Sequence, residues 1–205
     1  MRIVYFFALS LFLNAGLALA QSGPAVLTIL PGWQTESGTN LAAFEISLEP
    51  GWKTYWRAPG DSGIPPRVDW KGSTNVGAVE FHWPRPGIFD ELGTRTVGYK
   101  DRLVLPVEFT PKNPGKPITA AGELEIGVCL DVCVPMSFRF SAELPQAGSP
   151  DRQIQNALAQ KAEQVAGDGI PGLGCVFDPI SDGLRVEARF DNSPLKDPKA
   201  AIFER

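Results

Sequence analysis

Residues 127–136 read GVCLDVCVPM and hold two of the chain's three cysteines, Cys129 and Cys133. On one continuous strand their Cα atoms would stand about 13 Å apart, far beyond the span of a disulfide. A bond between them therefore needs a turn at Leu130-Asp131-Val132. The flanks, ELEIGV (123–128) and VPMSFRF (134–140), are both strand-like, so the stretch predicts a β-hairpin with a three-residue loop. The cysteines then face each other across the ladder, where a non-hydrogen-bonded pair brings Cα atoms to roughly 4.5 Å.

Alternation assigns the faces of this hairpin. Leu124, Ile126 and Val128 share one side of the first strand, with Glu123, Glu125 and Cys129 on the other. On the second strand Val134, Met136, Phe138 and Phe140 form the apolar side, opposite Cys133, Ser137, Arg139 and Ser141. Both cysteines thus fall off the apolar face, and partial exposure is expected. Three uses of the pair come into question: a structural staple, a soft-metal site, or a dithiol that is oxidised and reduced. A five-residue ring contributes about 2 kcal/mol by chain entropy, against about 3 kcal/mol for a fifteen-residue loop. A short, accessible disulfide is the easily reduced kind. A Cu(I) site would add Met136 as a third sulfur ligand, but alternation turns that side chain to the opposite face, where it serves as core filler. These arguments favour the redox pair and leave the stapled adaptor and the copper module as alternatives.

Outward from the hairpin, the chain alternates short apolar runs with Gly- and Pro-rich turns. AVLTIL (25–30), LAAFEISLE (41–49), WKTYWRA (52–58), RVDW (67–70), GAVEFHW (77–83), LVLPVEFT (103–110), ITAAGELEIGV (118–128) and VPMSFRFSAEL (134–144) are rich in β-branched and aromatic residues. EPGW, APGDSGIPP, WPRPG and PKNPGKP punctuate them. Many strands without intervening helices predict a mostly β, immunoglobulin-like antiparallel sandwich over residues 21–146. Residues 147–205 read as a helix plus a C-terminal β segment, either docked on the sandwich or opening a further domain. The helix is expected to take Ser149 as N-cap, Pro150 as its first residue and Gly167 as its stop. Its apolar face would be Ile154, Leu158, Ala162 and Val165.

The N-terminus sets the expected compartment. Arg2, an apolar run from about Ile3 to Leu13, and Ala18-Leu19-Ala20 have the layout of a secretory signal peptide, residues 1–20. The apolar core is too short for a good membrane span, and no later run approaches spanning length. An exported, periplasmic protein is expected, in surroundings where disulfides persist. Lys and Arg number 19 against 23 Asp and Glu, a net charge of −4, with no basic cluster. Nucleic acid and anionic membrane surfaces are therefore unsuited partners. The single histidine, His82, excludes His-rich metal sites, and no metal or cofactor is expected; at a strand end it reads as a hydrogen-bonding residue.

GWKTYWRAPGDSGIPP (51–66), FDELGTRTVGYKDRLVLPVEF (89–109) and GVCLDVCVP (127–135) resemble, in order and spacing, the N-terminal periplasmic domain of the disulfide reductase DsbD and its relatives. The resemblance covers about residues 25 to 145. It implies an immunoglobulin-like sandwich acting as a thiol:disulfide oxidoreductase relay, with Cys129 and Cys133 as the working pair. It also implies a cap loop, Asp90-Glu91-Leu92-Gly93, over that pair, with Leu92 where the reference cap carries an aromatic residue. Shielding would then be weaker, or would fall to Phe89 or Tyr99. Trp52, Tyr55 and Tyr99 are candidates to border the site. Because the 205 residues hold no C-x-x-C and no membrane domain, a thioredoxin-like or membrane-embedded electron donor is expected in trans, with disulfide-bearing periplasmic proteins as acceptors. No lysine or arginine neighbours the cysteines in sequence, and Asp131 within the loop would raise their pKa values. Cys175 is left as an odd thiol.

Overall fold

A computed structural model describes residues 23–91, 93–161, 174–181 and 183–189. The signal-peptide reading, Leu92 and the expected helix stop at Gly167 lie outside these residues. Ten strands build two antiparallel sheets. The first runs β1 (Ala25–Gln34), β2 (Asn40–Leu48), β8 (Arg102–Pro111) and β5 (Val76–Phe81), in that order. The second runs β10 (Cys133–Leu144), β9 (Ile118–Cys129), β3 (Lys53–Gly60), β7 (Thr94–Lys100) and β6 (Gly87–Glu91), with the short β4 (Arg67–Asp69) also pairing to β9.

The alternation read from the sequence is what closes the sandwich. Phe44 and Ile46 of β2 and Leu103, Leu105, Val107 and Phe109 of β8 meet Leu124, Ile126 and Val128 of β9 and Phe138 and Phe140 of β10 in one buried cluster. Trp56 of β3 and Val97 and Tyr99 of β7 complete it. Trp70, just after β4, sits edge-on to Phe109 and Phe140 with ring centroids 5.3 and 5.5 Å away. Such aromatic edges add directional contacts to area burial.

The helix α1 (Arg152–Ala159) packs on the other side of the first sheet, where Ile154 meets Leu41 and Ala43. It departs from expectation at its start. Asp151, not Ser149, is the N-cap: its carboxylate accepts from the N–H groups of both Gln153 and Ile154. A carboxylate satisfies two orphan amides and also complements the helix dipole. Beyond α1, β11 (Gly174–Ile180) and β12 (Gly183–Arg189) pair only with each other among the described residues, and Phe177, Leu184 and Val186 are all more than half exposed.

Two elements escaped the sequence reading. Residues 87–100, rich in charge and glycine, form the β6–β7 hairpin, so the expected cap loop is a hairpin tip. The tip does not lie flat. Lys53 pairs with Lys100, and Glu91 pairs with Thr94 six residues along β7. In a flat sheet those positions would be about 20 Å apart. Lys53 and Glu91 nonetheless form an ion pair. The β6–β7 hairpin is therefore folded back across the outer face of β3.

Candidate functional site

The hairpin register places Cys133 directly opposite Cys129, with Cα atoms 4.1 Å apart and the two sulfurs bonded. Both side chains leave the sheet on its outer face, away from the core, as alternation requires. Their exposures differ sharply, against the expectation of two half-open sulfurs. Cys133 is exposed, whereas Cys129 is 1% exposed. The outer face has a cover of its own, so polar parity does not mean solvent.

Tyr55 is the centre of that cover. It stands on β3 on the same face as Lys53, and its hydroxyl donates to Cys129 Sγ at 2.8 Å and lies 3.1 Å from Cys133 Sγ. The ring is itself buried, 2% exposed, because the segment 60–66 runs over it. A Cβ on Gly63 would come within 2.6 Å of the Tyr55 ring, and one on Gly127 within 2.7 Å of Ile64. Both glycines are needed for the close approach of this segment to the sheet. Burial, and secondarily the charge of Glu91, raise the Tyr55 pKa. The hydroxyl therefore keeps its proton at neutral pH and remains a donor toward sulfur.

Lys53 is the residue the sequence concealed. It pairs in register with Cys129 on one side and Lys100 on the other, so Lys100, Lys53, Cys129 and Cys133 form one cross-strand row. Its side chain is 9% exposed, its ammonium pairs with Glu91, and it lies 5.5 Å from the centroid of the Phe89 ring. Asp61 and Asp90 brace the same cover through Arg95: Arg95 Nε donates to Asp90 at 2.7 Å, and the Arg95 backbone N–H donates to Asp61 at 2.9 Å.

Of the remaining expected residues, Glu91 and Phe89 reach the site through Lys53, and Asp90 and Gly93 form the exposed tip of the hairpin. Trp52 and Tyr99 pack toward the core, the Tyr99 hydroxyl donating to the Pro84 carbonyl at 2.7 Å. Met136 lies on the core side, opposite the cysteines. Leu130 and Val132 of the loop are exposed, at 46% and 71%, as is Asp131. Cys175 is exposed and free.

A second polar cluster lies on β5 and β8. Glu80, His82 and Glu108 offer donor atoms within 4.8 Å of one another. Both imidazole nitrogens already have partners: Nε2 meets Glu108 at 2.9 Å and Nδ1 meets Lys161 at 3.2 Å. The Thr39 hydroxyl, donating to Glu108 at 2.6 Å, and His82 together hold that carboxyl below its usual range. His82 is a strand-end hydrogen-bonding residue that ties the sandwich to the end of α1.

The architecture is an antiparallel sandwich with a hydroxyl-buttressed disulfide across the tip of an edge hairpin, the design of a thiol–disulfide pair on an immunoglobulin-like frame. Residues 27–145 match the family model for the N-terminal domain of the thiol:disulfide interchange protein DsbD, and the chain belongs to that family. Among solved structures, the N-terminal periplasmic domain of ScsB from Proteus mirabilis is similar at 24% identity and a TM-score of 0.61, over 85% of this chain and 79% of that one. That likeness establishes the shared fold. The reduced N-terminal domain of Neisseria meningitidis DsbD matches at 17% identity and a TM-score of 0.34, over 61% of this chain and 90% of that one. No curated protein matches the sequence.

Proposed function

We propose that this chain is a periplasmic electron-relay domain that works by thiol–disulfide exchange through Cys129 and Cys133. A thioredoxin-like or membrane-embedded donor would supply electrons in trans, and disulfide-bearing periplasmic proteins would accept them. One observation carries the mechanism: Cys133 is exposed, while Cys129 is buried against the Tyr55 hydroxyl at 2.8 Å. A donor thiolate attacks the reachable sulfur, Cys133 Sγ. The Cys129–Cys133 bond breaks, and the electron pair leaves on Cys129 as a thiolate that accepts a hydrogen bond from Tyr55. A second donor thiolate then attacks the donor's own sulfur in the mixed disulfide, so the donor leaves oxidised and this pair is left reduced. With an acceptor the steps reverse: Cys133 attacks, and Cys129 resolves the mixed disulfide.

The cysteine variants test this order directly. Cys129→Ser keeps the reachable thiol and removes the resolving one, so it should trap mixed disulfides with partner proteins. Cys133→Ser leaves only the buried thiol and should trap few. Equal trapping by both would refute the assigned order. In glutathione buffers the pair should equilibrate within about −120 to −270 mV, the span of exchange proteins, whereas a staple sits below about −300 mV. A pair that cannot be reduced in that window ends the relay reading.

A further inference from the structure

The relay reading leaves Lys53 without a task, although the structure commits a buried cation to the site. A lysine this deeply placed normally has a partner that repays its desolvation. Its partners here, Glu91 and Phe89, both belong to β6, the far strand of the folded-back hairpin. Glu91 is the more open member of the ion pair, with 55% of its side chain exposed against 9% for Lys53. The contact therefore joins an anchored cation on β3 to an anion on an element that reaches the disulfide row only by bending back. Glu91 also lies near enough to Tyr55 to act on its hydroxyl, which contacts both sulfurs.

We propose that Lys53 is a positioning residue, a latch that pins the β6–β7 hairpin over the disulfide row through Glu91 and Phe89 and so governs access to Cys129. This rests on the relay reading for its purpose but not for its test. Lys53 touches β6 through Glu91 and Phe89 and also neighbours Cys129 in register. The Asp90–Arg95–Asp61 contacts brace the hairpin to the 60–66 segment at its exposed rim, where both Asp90 and Arg95 are 63% exposed. The rim ion pair is weak and the backbone bonds between Asp61 and Arg95 hold β7 to that segment, while Lys53 is the contact that reaches β6.

The test is alkylation of the reduced full chain by iodoacetamide, an uncharged probe, with site-resolved mass spectrometry and Cys175 as internal reference. Rates are taken across pH, because the plateau at high pH reports access to the thiolate while the midpoint reports its charge environment. Lys53→Met keeps the apolar stem, and Glu91→Gln changes only the open partner and does not disturb the buried lysine's packing. Each should raise the Cys129 plateau about two- to fivefold, the scale of one partly exposed ion pair. The double variant should gain no more than the larger single effect, because the two residues act as one contact. High salt should lift the wild-type plateau toward that of Glu91→Gln. Unchanged plateaus in both variants, or a shifted midpoint without a raised plateau, would overturn the latch. Alkylation needs no redox partner, so a failed relay and a failed latch give different results.

Discussion

Two hairpins in this chain carry cysteines, and they differ in almost every other respect. The β9–β10 hairpin lays one face against the core, where Leu124, Val128 and Phe138 are at most 1% exposed, and its other face is mostly open, with Cys129 covered by Tyr55. The β11–β12 hairpin has exposed residues on both faces, with only Ala188 half-buried, and its Cys175 stands open. A hairpin register alone brings two strands together. It does not create chemistry. What distinguishes Cys129 from Cys175 is the pair of groups that β3 places beside it: a proton-bearing hydroxyl at 2.8 Å and a cation in the adjacent register position.

The largest effect that could break this contrast is a core truncation. Phe138→Ala removes a ring that is fully buried and should cost about 3–5 kcal/mol in chemical denaturation. Phe177→Ala, on the exposed hairpin at 61% exposure, should stay within about 0.5 kcal/mol. Comparable losses would mean that the second hairpin is held by more than its own pairing.

Next in size is the hydroxyl. Tyr55→Phe keeps the ring under the 60–66 segment and deletes the donor. Hydrogen bonds to charged groups are worth about 1.5–3 kcal/mol. The Cys129 thiol pKa should therefore rise, and the pair's potential should become more negative by on the order of 30 mV, which corresponds to about 1.4 kcal/mol. A potential unmoved in Tyr55→Phe would reduce the hydroxyl to a packing contact.

The smallest effect concerns the junction after α1, where Lys161 meets the sandwich. Glu108 is held below its ordinary pKa by Thr39 first and His82 second. A depressed carboxylate contributes stability above its unfolded value, near pH 4.3, and that contribution disappears as pH falls through the folded value. Thr39→Val should narrow that window and soften the acid limb of a stability–pH profile, with little change at pH 7 in the exchange behaviour of the Cys129–Cys133 pair. An unchanged acid limb would remove Thr39 from the network.

The sequence by itself determined the local geometry of the site. A side-chain period of two is unforgiving, so the runs around GVCLDVCVPM were enough to set the hairpin, its three-residue loop, the pairing of Cys129 with Cys133 and the face on which both sulfurs lie. The same alternation made most of the strands and the sandwich legible. It left the β6–β7 hairpin hidden, because glycine, threonine and charge in residues 87–100 carry little apolar period, and it misplaced the helix cap by two residues, from Asp151 to Ser149. Only the tertiary structure decided what stands beside the sulfurs. Tyr55 is 74 residues from Cys129 in the chain, and it reaches the site because β3 pairs with β9. Strand order in a sheet is a long-range choice that no local pattern encodes. The burial of Cys129, the exposure of Cys133 and the position of Lys53 all follow from that choice, because alternation names a face but not what will cover it.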